Sequence, residues 1–358
     1  MSLHTSLCDL LGIRHPIILA GMAGGPTTPE LVAAVSAAGG LGNFGLAGMT
    51  LDAARDAMRR ARALTDAPIA VNVLLPEPTP PNVTEDEHRA ALAPVRERLG
   101  LPVDPPLPPL DGTPADLIAM AIEEGAAVIT TGLGDPAPVV PLARAAGLPL
   151  LAMVATVADA RTAAASGADG IIAQGGEAGG HRSNFAVPDP EHPDMVGTVA
   201  LVPQVVDAVD VPVIATGGIM DGRGLVAALA LGAQAAQFGT RFLFAAESGA
   251  NPAYRARLAA AADTDARIIT GLSGRPARGL PNALTDELGA VGNPNLGYPE
   301  QGRALADLRR DSAARGVADR VSTWSGQAAS LGVVDQPAAE IVTEIMSQAD
   351  AVVERLNR

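Results

Sequence analysis

The stretch PLLAMVATVADARTAAASGADGIIAQG, residues 149–175, contains the pattern that decides the fold. Two short apolar runs, PLLAMVA and GIIAQG, flank the segment VADARTAAASG, which has a helical pattern and ends in glycine. A continuous apolar run, as opposed to an alternating one, indicates a strand that is buried on both faces, as in a parallel sheet. The stretch is therefore predicted to form one strand–helix–strand unit.

The same unit recurs along the chain from residue 15 to about residue 262. The candidate strands are residues 15–22, 41–46, 68–75, 126–132, 149–155, 170–175, 211–218 and 235–243. Eight such repeats predict an α/β protein with the architecture of a (β/α)8 TIM barrel. An open, doubly wound sheet is the structural alternative.

Two parts of the chain depart from this rhythm. Residues 76–113 are rich in proline, and we predict that they form an insertion after strand three, with a short helix at 85–99. Beyond residue 262, loop segments lead to helices predicted near 300–315 and 336–356. The last part of the chain is therefore predicted to be a mostly helical C-terminal extension.

Composition and charge limit the classes of partner. The chain has 358 residues, of which 48% are hydrophobic, enough to bury a large core. Its net charge of −14 argues against nucleic acid or an anionic membrane as a partner. Residues 225–246 are apolar enough to suggest a membrane span, but Arg241 and other interruptions favour a buried helix followed by a buried strand. We expect no signal peptide and a cytoplasmic protein.

Two residue types are scarce or missing, and this excludes several kinds of chemistry. Cys8 is the only cysteine, so disulfides, iron–sulfur clusters and cysteine zinc sites are excluded. The chain has no lysine, which excludes Schiff-base chemistry and pyridoxal phosphate. No spacing of histidines and carboxylates indicates a metal site, and we expect none.

Barrel enzymes carry their chemistry at the C-terminal ends of the strands. The candidate binding residues at that face are Gly21, Met22, Ala23, Asn72, Thr131, Gln174, Gly179, Gly180, Gly217, Gly218, Gln237, Gly239 and Thr240. TGGIMDGRG after strand seven and FGTRF at strand eight offer backbone N–H groups and a hydroxyl where barrels commonly bind phosphate.

Asn72 and Gln174 are amides within otherwise apolar strands. A buried amide needs hydrogen-bond partners. The two side chains either bond across the strands at the barrel mouth, or they bind a heterocycle with alternating donors and acceptors. Both explanations remain open from the sequence.

The segment AQGGEAGGHRSNF, residues 173–185, places four glycines beside Glu177, His181 and Arg182. Either the loop is flexible, or its backbone lies close against a flat group and then presents His181. A histidine at this face suits a proton acceptor or a partner for an anion, and the alternative is that it braces the loop. Glu177 and Arg182 either orient the histidine or are solvated.

Seven segments resemble the nitronate monooxygenase family, formerly called 2-nitropropane dioxygenases. They are HPIILAGMAGGPTTPELVAAVSAAGGLG, AVNVLLP, AQGGEAGGHRSNF, IATGGIMDGRG, GAQAAQFGTRFL, SGRPARGLPN and TWSGQ, in order from about residue 12 to residue 330. The resemblance implies an FMN-binding barrel at residues 1–262 and a substrate-site extension at residues 263–358 that packs on it.

The resemblance also implies roles for single residues. The phosphate of FMN would lie on Gly218 and Gly239–Thr240, its ring would contact Met22, Asn72 and Gln174, and His181 would be catalytic. The sequence departs from the family pattern at Ser183, where glycine is usual, and at Gly302, where asparagine is usual.

The activity implied is oxidation of an alkyl nitronate, and of nitroalkanes as a further substrate, by O2 to a carbonyl compound and nitrite. The partners would be the small-molecule nitronate and O2, with a homo-oligomer left open. FMN-dependent NAD(P)H reductases of enoyl thioesters or quinones share the barrel and the EAGGH motif, and are the main alternative. A flavin-free isomerase or lyase acting on a phosphate ligand would share the phosphate site, and a flavoprotein that binds without turnover is a further alternative.

Overall fold

Eight parallel strands close into a barrel in the computed structural model, which describes residues 3–108, 111–187, 189 and 193–358. The barrel strands follow one another in the order β1-β2-β3-β4-β5-β6-β8-β9, with β9 again beside β1. A bridge between Ile18 and Leu41 joins β1 to β2, and the amide of Leu41 donates to the carbonyl of Ile17 at 2.9 Å. The predicted TIM barrel is confirmed, and the open sheet is wrong because of this closure.

Each predicted strand contains an observed one. The strands are β1 Ile17–Leu19, β2 Gly42–Gly45, β3 Ile69–Leu74, β4 Val128–Gly132, β5 Leu150–Val154, β6 Gly170–Gln174, β7 Gly180–His181, β8 Val213–Thr216, β9 Ala235–Phe238, β10 Arg267–Ile269 and β11 Ala277–Gly279. The second half of the predicted eighth strand is wrong, because Thr240–Leu243 forms a short helix.

Helices lie between the strands and in the two additions. They are α1 Ser6–Leu11, α2 Pro29–Ala37, α3 Leu51–Leu64, α4 Glu85–Leu99, α5 Pro114–Glu123, α6 Val140–Ala145, α7 Val157–Ala165, α8 Thr198–Val206, α9 Gly222–Ala230, α10 Thr240–Leu243, α11 Pro252–Ala259, α12 Ala283–Ala290, α13 Glu300–Ala304, α14 Ala306–Ala314 and α15 Ala338–Leu356. The helices predicted near 85–99, 300–315 and 336–356 are all present, the second of them broken at Leu305. Among the described helices, none is long and apolar enough to cross a membrane.

The N-terminal helix α1 packs against the bottom of the barrel. Leu7 and Leu11 of this helix join a buried cluster with inward side chains of the strands, among them Ile18, Leu151 and Ile172. The residues that alternate with these along each strand point outward, face the helices and form the larger core. The amino ends of the strands are therefore filled with apolar side chains, and polar chemistry is confined to the carboxyl ends.

The insertion after β3 and the C-terminal extension share a small core of their own. Leucines of α4, α12 and α14 pack together there, with Leu92, Leu284 and Leu308 all buried. Beside them the guanidinium of Arg96 is almost completely buried and donates to the carboxylate of Asp307 at 3.0 Å. Two parts of the chain more than 200 residues apart are thus joined into one unit.

A three-stranded antiparallel sheet was not predicted. It has the order β10-β11-β7 and pairs Ala277 with His181 and Arg278 with Gly180. Strand β7 has only two residues, too few for any periodicity to show in the sequence. The sheet fastens the glycine-rich loop after β6 to the C-terminal extension.

Helix α15 packs against α9 and α2. Its buried residues Ala338, Ile341, Val342, Ile345 and Ala349 follow helical spacing and make one apolar stripe. The last helix of the chain therefore occupies the place of the eighth barrel helix, although residues 244–337 precede it. The proposed division at residues 262 and 263 remains a prediction.

The packing of α15 on α9 predicts the effect of a single methyl group. A Cβ at Gly222 would lie 2.2 Å from the amide nitrogen of Ala349 and 2.4 Å from the carbonyl of Ile345. Gly222→Ala should therefore force the two helices apart and lower the free energy of unfolding by about 1–3 kcal/mol. Urea unfolding followed by circular dichroism measures this change.

Gly289→Ala is the matched control, because Gly289 is also helical and a Cβ there meets nothing within 4 Å. Alanine should be neutral at this position or stabilise by up to about 1 kcal/mol. Equal stability of the two variants would contradict the close packing of α9 on α15.

Candidate active site

A ring of polar side chains lies above the apolar layer inside the barrel. Side chains alternate along a strand, so the residue two positions beyond an inward apolar residue also faces inward. The inward polar residues are Asn43, Asn72, Thr130, Gln174, Thr216 and Gln237, all buried. Asn72, Gln174 and Gln237 were predicted from the sequence as binding residues, whereas Asn43, Thr130 and Thr216 were not.

The amide of Asn72 bonds across the strands. Its Nδ2 donates to the hydroxyl of Thr130 at 3.0 Å, and Nδ2 of Asn43 donates to the same hydroxyl at 3.2 Å. The cross-strand explanation for Asn72 is thus present in the structure. This bond uses one N–H of the Asn72 amide. Binding of a heterocycle by the other polar atoms of the amide remains a prediction.

The amide of Gln174 holds the loop that follows its own strand. Its Nε2 donates to the carbonyl of His181 at 2.9 Å. Its Oε1 accepts from the amide of Ser183 at 2.9 Å and from Arg182 Nη1 at 3.0 Å. The side chain therefore fixes both the backbone of the histidine and the two residues after it.

Arg182 is completely buried, with carbonyl and amide oxygens as its partners. Besides Gln174 Oε1, Nη1 donates to the carbonyl of Gly175 at 2.8 Å and Nη2 to the carbonyl of Gln174 at 3.0 Å. Its Nε donates to the carbonyl of Asp194 at 3.2 Å. Burial lowers the pKa of Arg182 to about 10, so the group is still a cation at neutral pH. Arg182 is therefore not solvated, and it acts on His181 through Gln174, whose side chain also binds the His181 carbonyl.

Glu177 is bound at the start of α8. Its carboxylate accepts from the amide of Thr198 at 2.8 Å and from the Thr198 hydroxyl at 2.8 Å. That hydroxyl is also 2.9 Å from the carbonyl of Gly217. A carboxylate is stabilised at a helix N-terminus, so this contact ties the loop after β6 to α8 and to the loop after β8.

The glycines allow these loops to touch. A Cβ at Gly175 would lie 1.9 Å from the Thr198 hydroxyl, and one at Gly179 would lie 2.7 Å from the amide nitrogen of Gly326. Gly180 has φ of +77°, a conformation that favours glycine. The loop is thus held by close backbone approach, and the flexible-loop explanation does not fit it.

His181 lies between two aromatic rings. The centroid of its ring is 5.4 Å from that of Tyr298 and 5.5 Å from that of Trp324. Its Nε2 is buried and has no hydrogen-bond partner in the described part of the chain. Burial, and after it the positive charge of Arg275, lower the pKa of His181 to about 4, so its imidazole is neutral at pH 7.

Tyr298 and Trp324 come from the C-terminal extension, more than 100 residues after His181. The sequence contains one tryptophan and two tyrosines, and the segment TWSGQ had marked the place of Trp324. No spacing along the chain could have shown that both rings meet one histidine.

The ends of β8 and β9 meet the histidine loop at the predicted phosphate site. Gly217 and Gly218 have φ of +116° and +70°. A Cβ at Gly217 would lie 3.2 Å from the amide nitrogen of Ala178. The hydroxyl of Thr240 accepts from the amide of Gly326 at 3.0 Å, and Gly326 lies against Gly179.

Two of these glycines border open space. A Cβ at Gly180 would meet nothing within 4 Å, and one at Gly239 would meet only the Cβ of Ala20, at 3.5 Å. In addition, Oε1 of Gln237 is buried and has no hydrogen-bond partner among the described residues. The site therefore has room beside its backbone and an acceptor directed to its interior.

The end of β1 completes the rim between β9 and β2. A Cβ at Gly21 would lie 2.4 Å from the Cβ of Asn72, so the chain passes directly over this amide. Met22 follows half-buried, while Ala23 is exposed. Alternation along β4 places Thr131 on the face opposite Thr130, so the fold does not bring its side chain to the inward ring.

Ser183 and Gly302, the two residues that depart from the family pattern, have different surroundings. The hydroxyl of Ser183 donates to the carbonyl of Met153 at 2.9 Å and accepts from the amide of Leu133 at 3.0 Å. It thereby joins the ends of β4 and β5 to the histidine loop. A Cβ at Gly302 would meet nothing within 4 Å.

The described residues contain no group of three or more histidine, cysteine or carboxylate side chains that could hold a metal ion. The closed barrel, with ionisable side chains and close-packed glycine loops at its carboxyl end, defines an α/β-barrel enzyme. The chain belongs to the nitronate monooxygenase family, whose model matches residues 4–348.

Three known proteins resemble this chain in sequence and fold. A probable nitronate monooxygenase from Staphylococcus saprophyticus is 36% identical over 361 residues, which cover 99% of this chain and all of that protein. A nitroalkane oxidase from Streptomyces ansochromogenes has a TM-score of 0.88 at 33% identity, covering 98% of this chain and 100% of that one. FabK from Thermotoga maritima has a TM-score of 0.77 at 33% identity, covering 99% of this chain and 98% of that one.

Proposed function

We propose that the protein is an FMN-dependent enzyme that oxidises alkyl nitronates with O2 to a carbonyl compound and nitrite. The observation that carries the proposal is His181, held between Tyr298 and Trp324 directly after Gly180, where the backbone borders open space, in a chain of the nitronate monooxygenase family. The likeness to the nitroalkane oxidase supports the same class of substrate.

The residues present fit a flavin mononucleotide. The backbone of Gly218, Gly239 and Thr240 would hold the phosphate without a cationic side chain, as helix and loop N–H groups do elsewhere. Buried Gln237 Oε1 has no partner in the described part of the chain and would accept from a ring N–H. The space beside Gly180 would take the ring.

The proposed chemistry divides between cofactor and protein. The flavin, when bound, supplies electron acceptance from the substrate and reactivity toward O2. His181 takes a proton from the carbon of a neutral nitroalkane, or contacts a nitronate that has already lost that proton. Tyr298 and Trp324 keep water away from the imidazole and provide an apolar surface for the alkyl group.

One alternative, an FMN-dependent NAD(P)H reductase, is also supported by a comparison. FabK from Thermotoga maritima aligns over nearly the whole chain, at the same identity as the nitroalkane oxidase but a lower TM-score. We rank the reductase second for this reason and because of the family match.

Anaerobic reduction distinguishes the two activities. Mixing the yellow protein with a nitronate in the absence of O2 should bleach the visible flavin absorbance rapidly, because the site is proposed to take electrons from that substrate. NADH or NADPH should bleach it slowly. Stopped-flow absorbance measures both rates, and rapid, saturable bleaching by either nucleotide would support the reductase instead.

The cofactor itself is tested at Gly239. Its φ of −102° is open to any residue, so Gly239→Val should fold, yet the new side chain would fill the space proposed for the phosphate. We expect flavin content to fall at least about tenfold, as each 1.4 kcal/mol lost in binding is tenfold. Heat release followed by chromatography should identify the wild-type flavin as FMN.

Gly289→Val is the control for this substitution, because it adds the same β-branched side chain away from the barrel mouth, at a glycine where a Cβ meets nothing within 4 Å. It should keep the wild-type flavin content. Release of FAD, or full flavin retention in Gly239→Val, would count against the proposed phosphate site.

The role of His181 is tested by His181→Asn. Flavin should stay bound, while the rate on a neutral nitroalkane should fall about 10²–10⁴-fold, since positioned proton transfer contributes that much. The rate on preformed nitronate should fall less, because this substrate has already lost its proton. Steady-state rates on a matched nitroalkane and nitronate, with flavin content, decide the outcome.

His15→Asn is the control, because His15 lies before β1 at the opposite end of the barrel. It should leave the ratio of the two rates unchanged. If His181 only braces its loop, His181→Asn should lower both rates equally and reduce flavin affinity or stability.

A further inference from the structure

Arg275 is a buried guanidinium that joins three parts of the chain. It is completely buried, Nη1 donates to the carbonyl of Glu77 at 3.3 Å, and Nη2 donates to the carbonyl of Asn184 at 2.6 Å. A further contact reaches the carbonyl of Ala186 at 3.3 Å. These partners belong to the insertion after β3 and to the loop after β6.

The charge of Arg275 is only partly compensated. Its guanidinium donates to neutral carbonyl oxygens, and its buried Nε has no hydrogen-bond partner among the described residues. A buried cation with carbonyl partners keeps its field in the surrounding low dielectric. The field therefore acts on whatever lies next to the group.

His181 lies in that field. Ala277, two residues after Arg275, pairs with His181 in the small sheet, and the carbonyl of Pro276 accepts from the amide of Arg182 at 3.0 Å. The charge of Arg275 adds to burial in lowering the pKa of His181. Tyr298, whose ring contacts the imidazole, is also within the field of Arg275.

Other charged groups surround the pair. On the acidic side these are Glu77 of the insertion, Asp159 of α7, and Glu177 and Asp194 of the loop after β6, and on the basic side Arg182 and Arg278. Arg278, from β11, is also buried and donates to the carbonyls of Gly176 and Ala266 at 2.9 and 2.8 Å. In a chain with a net charge of −14, the barrel mouth thus holds three buried arginines.

We propose that Arg275 is a positioning residue that keeps a positive charge beside His181, and thereby selects the anionic nitronate over the neutral nitroalkane. The inference rests on the proposed function and names the form of substrate that the site accepts. The guanidinium attracts an anion to the imidazole and opposes a second positive charge there. His181 is thus a weak base that contacts a substrate which has already lost its proton.

The first measurement is the pKa of His181 itself, read by NMR of ¹⁵N-labelled imidazole in the flavin-loaded protein. The wild-type pKa should lie well below 6.5, and Arg275→Gln should raise it by about one unit, since a nearby like charge is removed. Arg275→Lys keeps the charge but not the fork of donors, and should leave the pKa near the wild-type value. A wild-type pKa of 6.5 or above would overturn the proposal, whether or not the variants fold.

Arg278→Gln is the matched control. It removes another buried guanidinium from the same part of the chain, with carbonyl partners of the same kind. It should lower stability without moving the pKa of His181. An equal shift in Arg278→Gln, or in Arg275→Lys, would show that loop structure rather than the charge of Arg275 sets this pKa, and would overturn the proposal.

Anion selection is measured separately with propanoate, an inert carboxylate, and with neutral propanamide. Trp324 is the only tryptophan of the sequence and its ring contacts His181, so its fluorescence reports binding there. Arg275→Gln should weaken propanoate binding about tenfold and leave propanamide binding unchanged. Equal weakening of both ligands would contradict a charge effect.

Turnover provides the last readout. In Arg275→Gln, kcat/KM on nitronate should fall about tenfold, while the ratio of nitroalkane to nitronate activity should rise, because the imidazole becomes a stronger base. A parallel loss on both substrates would overturn the proposal. Absence of nitronate oxidation in the wild type, with the pKa and propanoate results as expected, would reject the proposed function and leave the charge assignment of Arg275 standing.

Discussion

The site depends on the burial of the Arg182 guanidinium at the end of β6. A buried cation is costly unless its donors are satisfied, and here they bind the Gln174 side chain and the carbonyls of Gln174, Gly175 and Asp194. Gln174 in turn holds the carbonyl of His181 and the amide of Ser183. The position of the imidazole is therefore set by a network in which each polar group has a partner, and this network begins inside the barrel.

The second constraint is the close approach of three loops beside His181, where their backbones touch and only glycine fits. The loop after β6 lies against Thr198 at Gly175 and against Gly326 at Gly179, where any Cβ would collide. The Glu177 carboxylate closes the same contact from the other side by capping α8 through Thr198. Glycine has a cost, because it gives the unfolded chain additional conformational freedom that is lost on folding. In return, the close approach of the loops gives a rigid backbone surface beside the open space at Gly180 and Gly239.

The barrel was predictable because its signal is local. Each strand is a short apolar run and each helix a neighbouring periodic segment, so eight units could be counted without knowing any contact. The eighth strand was extended too far because TRFL is as apolar as a strand, yet α10 turns away directly after Gly239. The pairing of β7 with β11, and the two aromatic rings at His181, join residues about 100 or more positions apart. Such contacts leave no period in the sequence, and a resemblance could mark the motifs without showing that they meet.

The pKa of about 4 at His181 bears on which form of substrate suits the site. General-base catalysis is most efficient when the pKa of the base is near the working pH. A base with a pKa about three units below a working pH of 7 loses about 4 kcal/mol of driving force for accepting a proton, because each pKa unit corresponds to about 1.4 kcal/mol. A nitronate needs no such transfer, and the same arginine charge that weakens the base attracts the anion. Burial, the Arg275 charge and the neutral imidazole are therefore mutually consistent if proton removal has mostly occurred before binding.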